Sequence, residues 1–108
     1  MNSNAAQADE ARINQARAHA AQHRIAEAEA VYRDILKTAP ETPEALNFVA
    51  MCALARGEFA SAQRDLEHAA HVNPVEPEIW KNLGIVHLAQ RRGDDALDAF
   101  DRALGLEP

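Results

Sequence analysis

Trp80-Lys81-Asn82-Leu83-Gly84-Ile85-Val86-His87 sets Trp80, Leu83, Gly84 and His87 at i, i+3, i+4 and i+7, one face of an α-helix. Ala96, Phe100 and Ala103 repeat that period a few residues later, so the stretch reads as two helices joined by a short turn. Moving outward, the same residues recur at a fixed step of 34. Prolines fall at 40, 74 and 108. Ala28, Ala62 and Ala96 line up, then Tyr32, Leu66 and Phe100, then Ile35, Ala69 and Ala103. Upstream, Ala16, Ala50 and Gly84 align, as do Pro43 and Pro77. No insertion breaks the step, which defines repeats 9–42, 43–76 and 77–108 behind a flexible N-terminal tail, 1–8.

The punctuation fits helices. Pro43 and Pro77 suit a first helical turn, where a missing N–H is no loss. Pro40 and Pro74 bar the helical region to the residues before them, so the preceding helices end near Thr38 and Val72. Gly57 closes a helix with a left-handed residue. Helices are expected near 8–22, 25–37, 43–56, 59–71, 77–90 and 94–105. Gly93 stands where Ile25 and Phe59 stand in the other repeats, so the turn 90–94 is expected to be looser, with Asp94 or Asp95 supporting the next helix through its dipole.

The segment 80–87 resembles the opening W-x2-L-G-x2-Y of the tetratricopeptide repeat (TPR), with His87 at the tyrosine place. Ala96, Phe100, Ala103 and Pro108 fall at that repeat's second-helix Ala, aromatic, Ala and closing Pro. The resemblance covers 9–108 and implies an all-α fold: an α-solenoid of three helix-turn-helix repeats, six antiparallel helices in a right-handed superhelical stack. It further implies a protein–protein interaction module that holds a peptide or protein segment in a concave groove lined by the first helices. The groove places are occupied by Asn14, Arg17, Asn47, Phe48, Met51, Leu54, Lys81, Asn82, Ile85 and Leu88. Phe48, Met51, Leu54, Ile85 and Leu88 form an apolar strip, adaptable through Met51. Asn14 and Asn82 sit where large TPR superhelices place a peptide-binding asparagine ladder, which Phe48 interrupts. The carboxylate clamp of chaperone-binding TPRs is missing: Ile13, Arg17, Phe48, Glu78 and Asn82 stand at its places. Binding of chaperone C-terminal tails is therefore not expected.

The first repeat departs from the pattern, with Arg12 and Gln15 at the Trp and Leu places. It reads as the polar N-terminal edge of the stack and the part readiest to fray. At the other end, Leu97 and Leu104 would face water. Two readings follow: the chain is the N-terminal part of a longer protein, or it self-associates through that edge. The functional alternatives are correspondingly a substrate-recruiting arm of a bacterial glycosyltransferase, sulfotransferase or aspartyl/asparaginyl hydroxylase, and a homo-oligomerising scaffold.

Composition narrows the partners. The net charge is −6, with 17 acidic residues and 11 Lys and Arg interspersed among them, so nucleic acid and anionic membrane are disfavoured and a neutral to basic peptide is favoured. Cys52 is the single cysteine, which fits a reducing compartment, and no apolar run spans a bilayer, so a cytoplasmic location is expected. The arginine and alanine content points to a bacterial source.

No cofactor, metal or catalytic group is expected. His19 and His23 lie at i, i+4 without the glutamate of a zinc motif, and His68 and His71 read as solvated. Asp94, Asp95, Asp98 and Asp101 read as a solvated helix face, without a calcium loop's glycine turn. Cys52 reads as a buried small hydrophobe with no base near it, and Ser61 has no histidine in helical reach.

Overall fold

A computed structural model describes the backbone of residues 2–107 and the side chains of 9–107. Met1 and Pro108, the last proline of the 34-residue step, lie outside the described residues. Six helices follow in order: α1 (Asn2–Ala21), α2 (Ile25–Thr38), α3 (Pro43–Ala55), α4 (Phe59–Val72), α5 (Pro77–Ala89) and α6 (Gly93–Leu106). Consecutive pairs make three hairpins, α1/α2, α3/α4 and α5/α6, stacked into a body 45 × 28 × 23 Å. No strand occurs among the described residues. α2 and α4 end at Thr38 and Val72, the positions that Pro40 and Pro74 dictate. α1 runs back to Asn2, so the backbone of 2–8, expected as a tail, continues the helix; alanines and the lack of Gly or Pro allow it.

The core lies between hairpins. One cluster joins Ala16, Tyr32 and Ile35 of the first repeat to Ala45 and Val49 of the second. The other joins Leu46, Ala50, Leu66 and Ala69 of the second to Ile79, Leu83 and Val86 of the third. Leu36 packs against both. Ile35, Leu66 and Val86 are fully buried, each contributing about 2 kcal/mol of apolar transfer. A hairpin thus covers its oily side with its neighbour, so the repeats stand only as a stack.

The three hairpin turns share one geometry. Their central residues, His23, Gly57 and Arg91, have φ of 59°, 79° and 62°. The following amides bond back five residues: Arg24 to His19 O at 2.8 Å, Glu58 to Ala53 O at 2.9 Å, Arg92 to His87 O at 2.9 Å. The turn before Gly93 is therefore not looser, as the sequence had suggested. Its geometry is set by the preceding helix end, and Gly93 simply opens α6.

Two places explain how the repeats differ. Arg12, at the tryptophan place of the first repeat, substitutes polar bonds for packing: it donates to Asp34 at 3.0 Å, to Thr38 Oγ1 at 2.9 Å and to Asp9, tying α1 to α2. Trp80, at that place in the third, donates its Nε1–H to Pro74 O at 2.8 Å, and the Arg102 guanidinium lies 4.9 Å from its ring centre.

Gly84 faces Phe100 so closely that a Cβ there would lie 2.5–2.7 Å from the ring. The matching pair one repeat earlier is Ala50 and Leu66, both buried. Gly84→Ala is therefore expected to destabilise the protein by about 1–3 kcal/mol in urea unfolding. Phe100→Leu, which recreates the Ala–Leu pair, should recover most of that loss in the double variant. Strictly additive effects would contradict this reading of the contact.

Candidate functional site: the first-helix groove

The inner side of the stack is identifiable from which helices meet. Among the described residues, the backbones of α3 and α5 come within 8 Å of each other, whereas those of no two second helices do. The first helices therefore crowd the inner flank and the second helices splay outward. α1 reaches α3 through side chains: Arg17 donates Nε and Nη2 to Glu44 at 2.8 and 2.6 Å, a bidentate pair. The Tyr32 hydroxyl donates to the same carboxylate at 2.6 Å, so α1, α2 and α3 are held at one point.

The ten expected groove residues divide into four groups. Asn82 is only 4% exposed and donates Nδ2–H to Asn47 Oδ1 at 2.8 Å, so these two asparagines stitch α5 to α3. Phe48, Met51 and Leu54 are half-buried. Phe48 leans on Tyr32 with ring centres 4.8 Å apart, and Met51 and Leu54 pack against the core between repeats 2 and 3. Ile85 and Leu88, 36% and 55% exposed, stand open to solvent. Asn14, Arg17 and Lys81 are exposed, though Arg17 is engaged by Glu44 and Lys81 lies 3.2 Å from Glu78. The sequence could place these residues on one flank. It could not show that Asn82 and Arg17 serve the stack itself.

The repeat step sets Glu44 and Glu78 at the same groove place, but sequence reading missed the cleft they share with Glu76. A cleft of about 460 Å³ opens between the N-terminal ends of α3 and α5, lined by Pro43, Glu44, Asn47, Asn73, Glu76, Glu78 and Ile79. Three carboxylates converge there. The signal in the sequence was Glu76, whose side chain caps α5 by accepting from Glu78 N–H at 3.4 Å. A larger hollow of about 660 Å³ lies on the other flank, between α4 and α6, over Trp80, Leu83 and His87. Ala70, at the place that Leu36 fills one repeat earlier, is among its lining residues.

The Glu44 carboxyl is held below the usual carboxylate range by its bonds from Arg17, opposed by burial and reinforced by Tyr32. Arg56 similarly lowers Glu29, donating at 3.0 and 3.1 Å. Cys52 is half-buried, and burial, with Glu29 nearby, pushes its thiol up, away from thiolate chemistry. Among the described residues, no three His, Cys, Asp or Glu side chains are grouped to hold a metal, and no helix is long and apolar enough to cross a membrane.

Comparison with known proteins agrees with this architecture. A family model described as tetratricopeptide repeat matches residues 13–62 and 53–108. Mouse BBSome complex member BBS4 is 29% identical over 77 residues, which cover 71% of this chain and 15% of that protein, so the chain spans a small part of that relative. An O-GlcNAc transferase of Thermobaculum terrenum superposes with a TM-score of 0.84 at 26% identity, over 93% of this chain and 20% of the transferase. The first TPR of Spaghetti (RPAP3), solved bound to the HSP90 peptide SRMEEVD, superposes with a TM-score of 0.82 at 22% identity, over 94% of this chain and 81% of that one.

A depressed carboxyl stabilises the fold above its unfolded pKa, about 4.3 for glutamate, and loses that contribution as pH falls through the lowered folded value. Glu44→Gln should therefore flatten the loss of stability seen on acidification below that range. Parent and variant curves falling in parallel would contradict a stabilising role for the Arg17–Glu44–Tyr32 cluster.

Proposed function

The chain belongs to the tetratricopeptide repeat family, and on that premise we propose that it is a protein–protein interaction module whose first-helix groove holds an apolar, basic peptide segment. The observation that carries this reading is the run from exposed Leu88 and Ile85, past half-buried Leu54, Met51 and Phe48, to the acidic mouth where Glu76 and Glu78 stand exposed beside Glu44, which Arg17 and Tyr32 already hold. A peptide with apolar side chains would lie along the strip, and a Lys or Arg would reach the mouth. The net charge of −6 supports the same preference.

A chaperone-tail ligand is disfavoured although a similar TPR was solved with an HSP90 peptide. An acidic tail needs cations in the groove. Here Arg17 is paired with Glu44 and Lys81 with Glu78, while Asn82 is buried against Asn47. A second reading, that these repeats recruit protein substrate to a larger enzyme, is supported by the likeness to a transferase of which they span 20%. The groove would do the same work in either setting.

Synthetic extended peptides, immobilised and titrated with the chain, test the proposal. Peptides with alternating apolar side chains and terminal lysines should bind, and Ile85→Asp or the pair Glu76→Gln and Glu78→Gln should each weaken them about tenfold, or 1.4 kcal/mol. The two glutamates are exposed and glutamine keeps the acceptor that caps α5, so their melting temperature should hardly move, and circular dichroism melts check that Ile85→Asp, at a side chain 36% exposed, keeps the fold. Preferential capture of EEVD-ended peptides, or binding indifferent to these substitutions, would overturn it.

A further inference from the structure

The hollow of about 660 Å³ between α4 and α6 lies at the boundary between the second and third repeats, on the flank opposite the groove. The 34-residue step gives each residue around it a counterpart at the boundary between the first and second repeats. At that first boundary α2 offers α4 a leucine and a cation. Leu36 packs against both cores. Burial raises the Asp65 carboxyl of α4, and Arg64, Arg33 across the boundary and His68 oppose that rise. At the second boundary α4 offers α6 neither group. Ala70 stands at the place of Leu36, and Glu67 at the place of Arg33. On α6, Asp95 and Asp98 stand at the places of Ser61 and Arg64.

The hollow therefore combines an apolar floor with an acidic rim. Ala70, Leu83 and Ala99 are buried in its lining, and Trp80 is half-buried beside them. Glu67, Asp95 and Asp98 are exposed, and no ion pair engages any of them among the described residues. The two arginines on the rim are already engaged: Arg92 donates to Gln63 Oε1 at 3.3 Å, and Arg102 lies over the Trp80 ring. What the first boundary draws from its own chain, an aliphatic group and a positive charge, a single lysine or arginine carries as stem and head. The acids lie exposed on two neighbouring helices, so a polypeptide can pass over the hollow and lower such a side chain into it. We propose that this hollow receives an arginine or lysine side chain of a partner protein, its methylenes against Ala70, Leu83 and Ala99 and its charge among Glu67, Asp95 and Asp98. The site is separate from the groove and does not depend on what the groove binds.

The test is an NMR titration of the whole isotope-labelled chain with a capped Gly-Arg-Gly peptide and with its citrulline counterpart, which keeps the stem but carries no charge. Trp80 is the single tryptophan, so its indole N–H reports on the hollow alone. The arginine peptide should shift that signal and the amides of Ala70 and Ala99, and the citrulline peptide should bind about tenfold more weakly. Glu67→Gln with Asp98→Asn should weaken the arginine peptide to a similar degree and reduce its salt dependence. Both residues are exposed, so circular dichroism melts of this variant should match the parent. Ala70→Leu, which restores the residue of the first boundary, should abolish the shifts, and the exposed pair keeps the test decisive if the larger side chain disturbs the core. Glu76→Gln with Glu78→Gln, at the groove mouth, should leave them intact. Shifts confined to the groove, loss of the Trp80 shift in the groove-mouth variant, equal binding of the citrulline peptide, or no shift at all would overturn the proposal. So would tighter binding of free n-butylguanidine than of the peptide, which would assign the hollow to a small cation.

Discussion

The structure depends on one constraint: a single helical hairpin of this sequence cannot bury its own apolar side. Both cores are shared, one between the first and second repeats and one between the second and third. The regular step of 34 residues keeps the donor and acceptor surfaces in phase, and any insertion would put Ile79 and Leu83 out of register with Ala50 and Leu66. Close helix approach follows from the same demand. It requires a small residue at Ala16, Ala50 and Gly84, and the smallest of the three, Gly84, stands against the ring of Phe100.

Polar contacts then fix how the hairpins sit on one another. Arg17 and Tyr32 converge on Glu44, Arg56 reaches Glu29, Asn82 reaches Asn47, and Gln90 reaches Gln63. The exposed ion pairs add little net energy. Their geometry is what matters, since each one spans a boundary between repeats. The same contacts engage Arg17, Asn47 and Asn82 within the stack, on a flank that also carries the half-buried Phe48, Met51 and Leu54 and the exposed Glu76 and Glu78. Stacking and recognition thus compete for one flank, and the side chains still free to meet a partner are the ones the stack does not use.

The architecture was legible because it rests on local signals that repeat. Prolines stop helices, Gly57 turns one, and the apolar period holds through both second helices and the third repeat. What the sequence could not reveal lies across repeats. Asn82 reads as a ladder residue until α3 brings Asn47 within hydrogen-bond reach. Arg12 reads as a lapse at a tryptophan place until Asp34 and Thr38 are seen beneath it. The turn at Arg91 reads as loose because glycine follows it, yet Arg91 takes up the same left-handed conformation as Gly57. The acidic mouth was legible only in part: Glu44 and Glu78 stand one 34-residue step apart, but Glu76 comes from the loop before α5 and its counterpart is Thr42.

If shared interfaces carry the fold, the middle hairpin, covered on both sides, must be the last part to open. Amide hydrogen exchange followed by NMR measures this residue by residue. The account expects the strongest protection in α3 and α4, with α5 next and α1 and α6 weakest. Uniform protection along the chain, or strongest protection in α6, would contradict it.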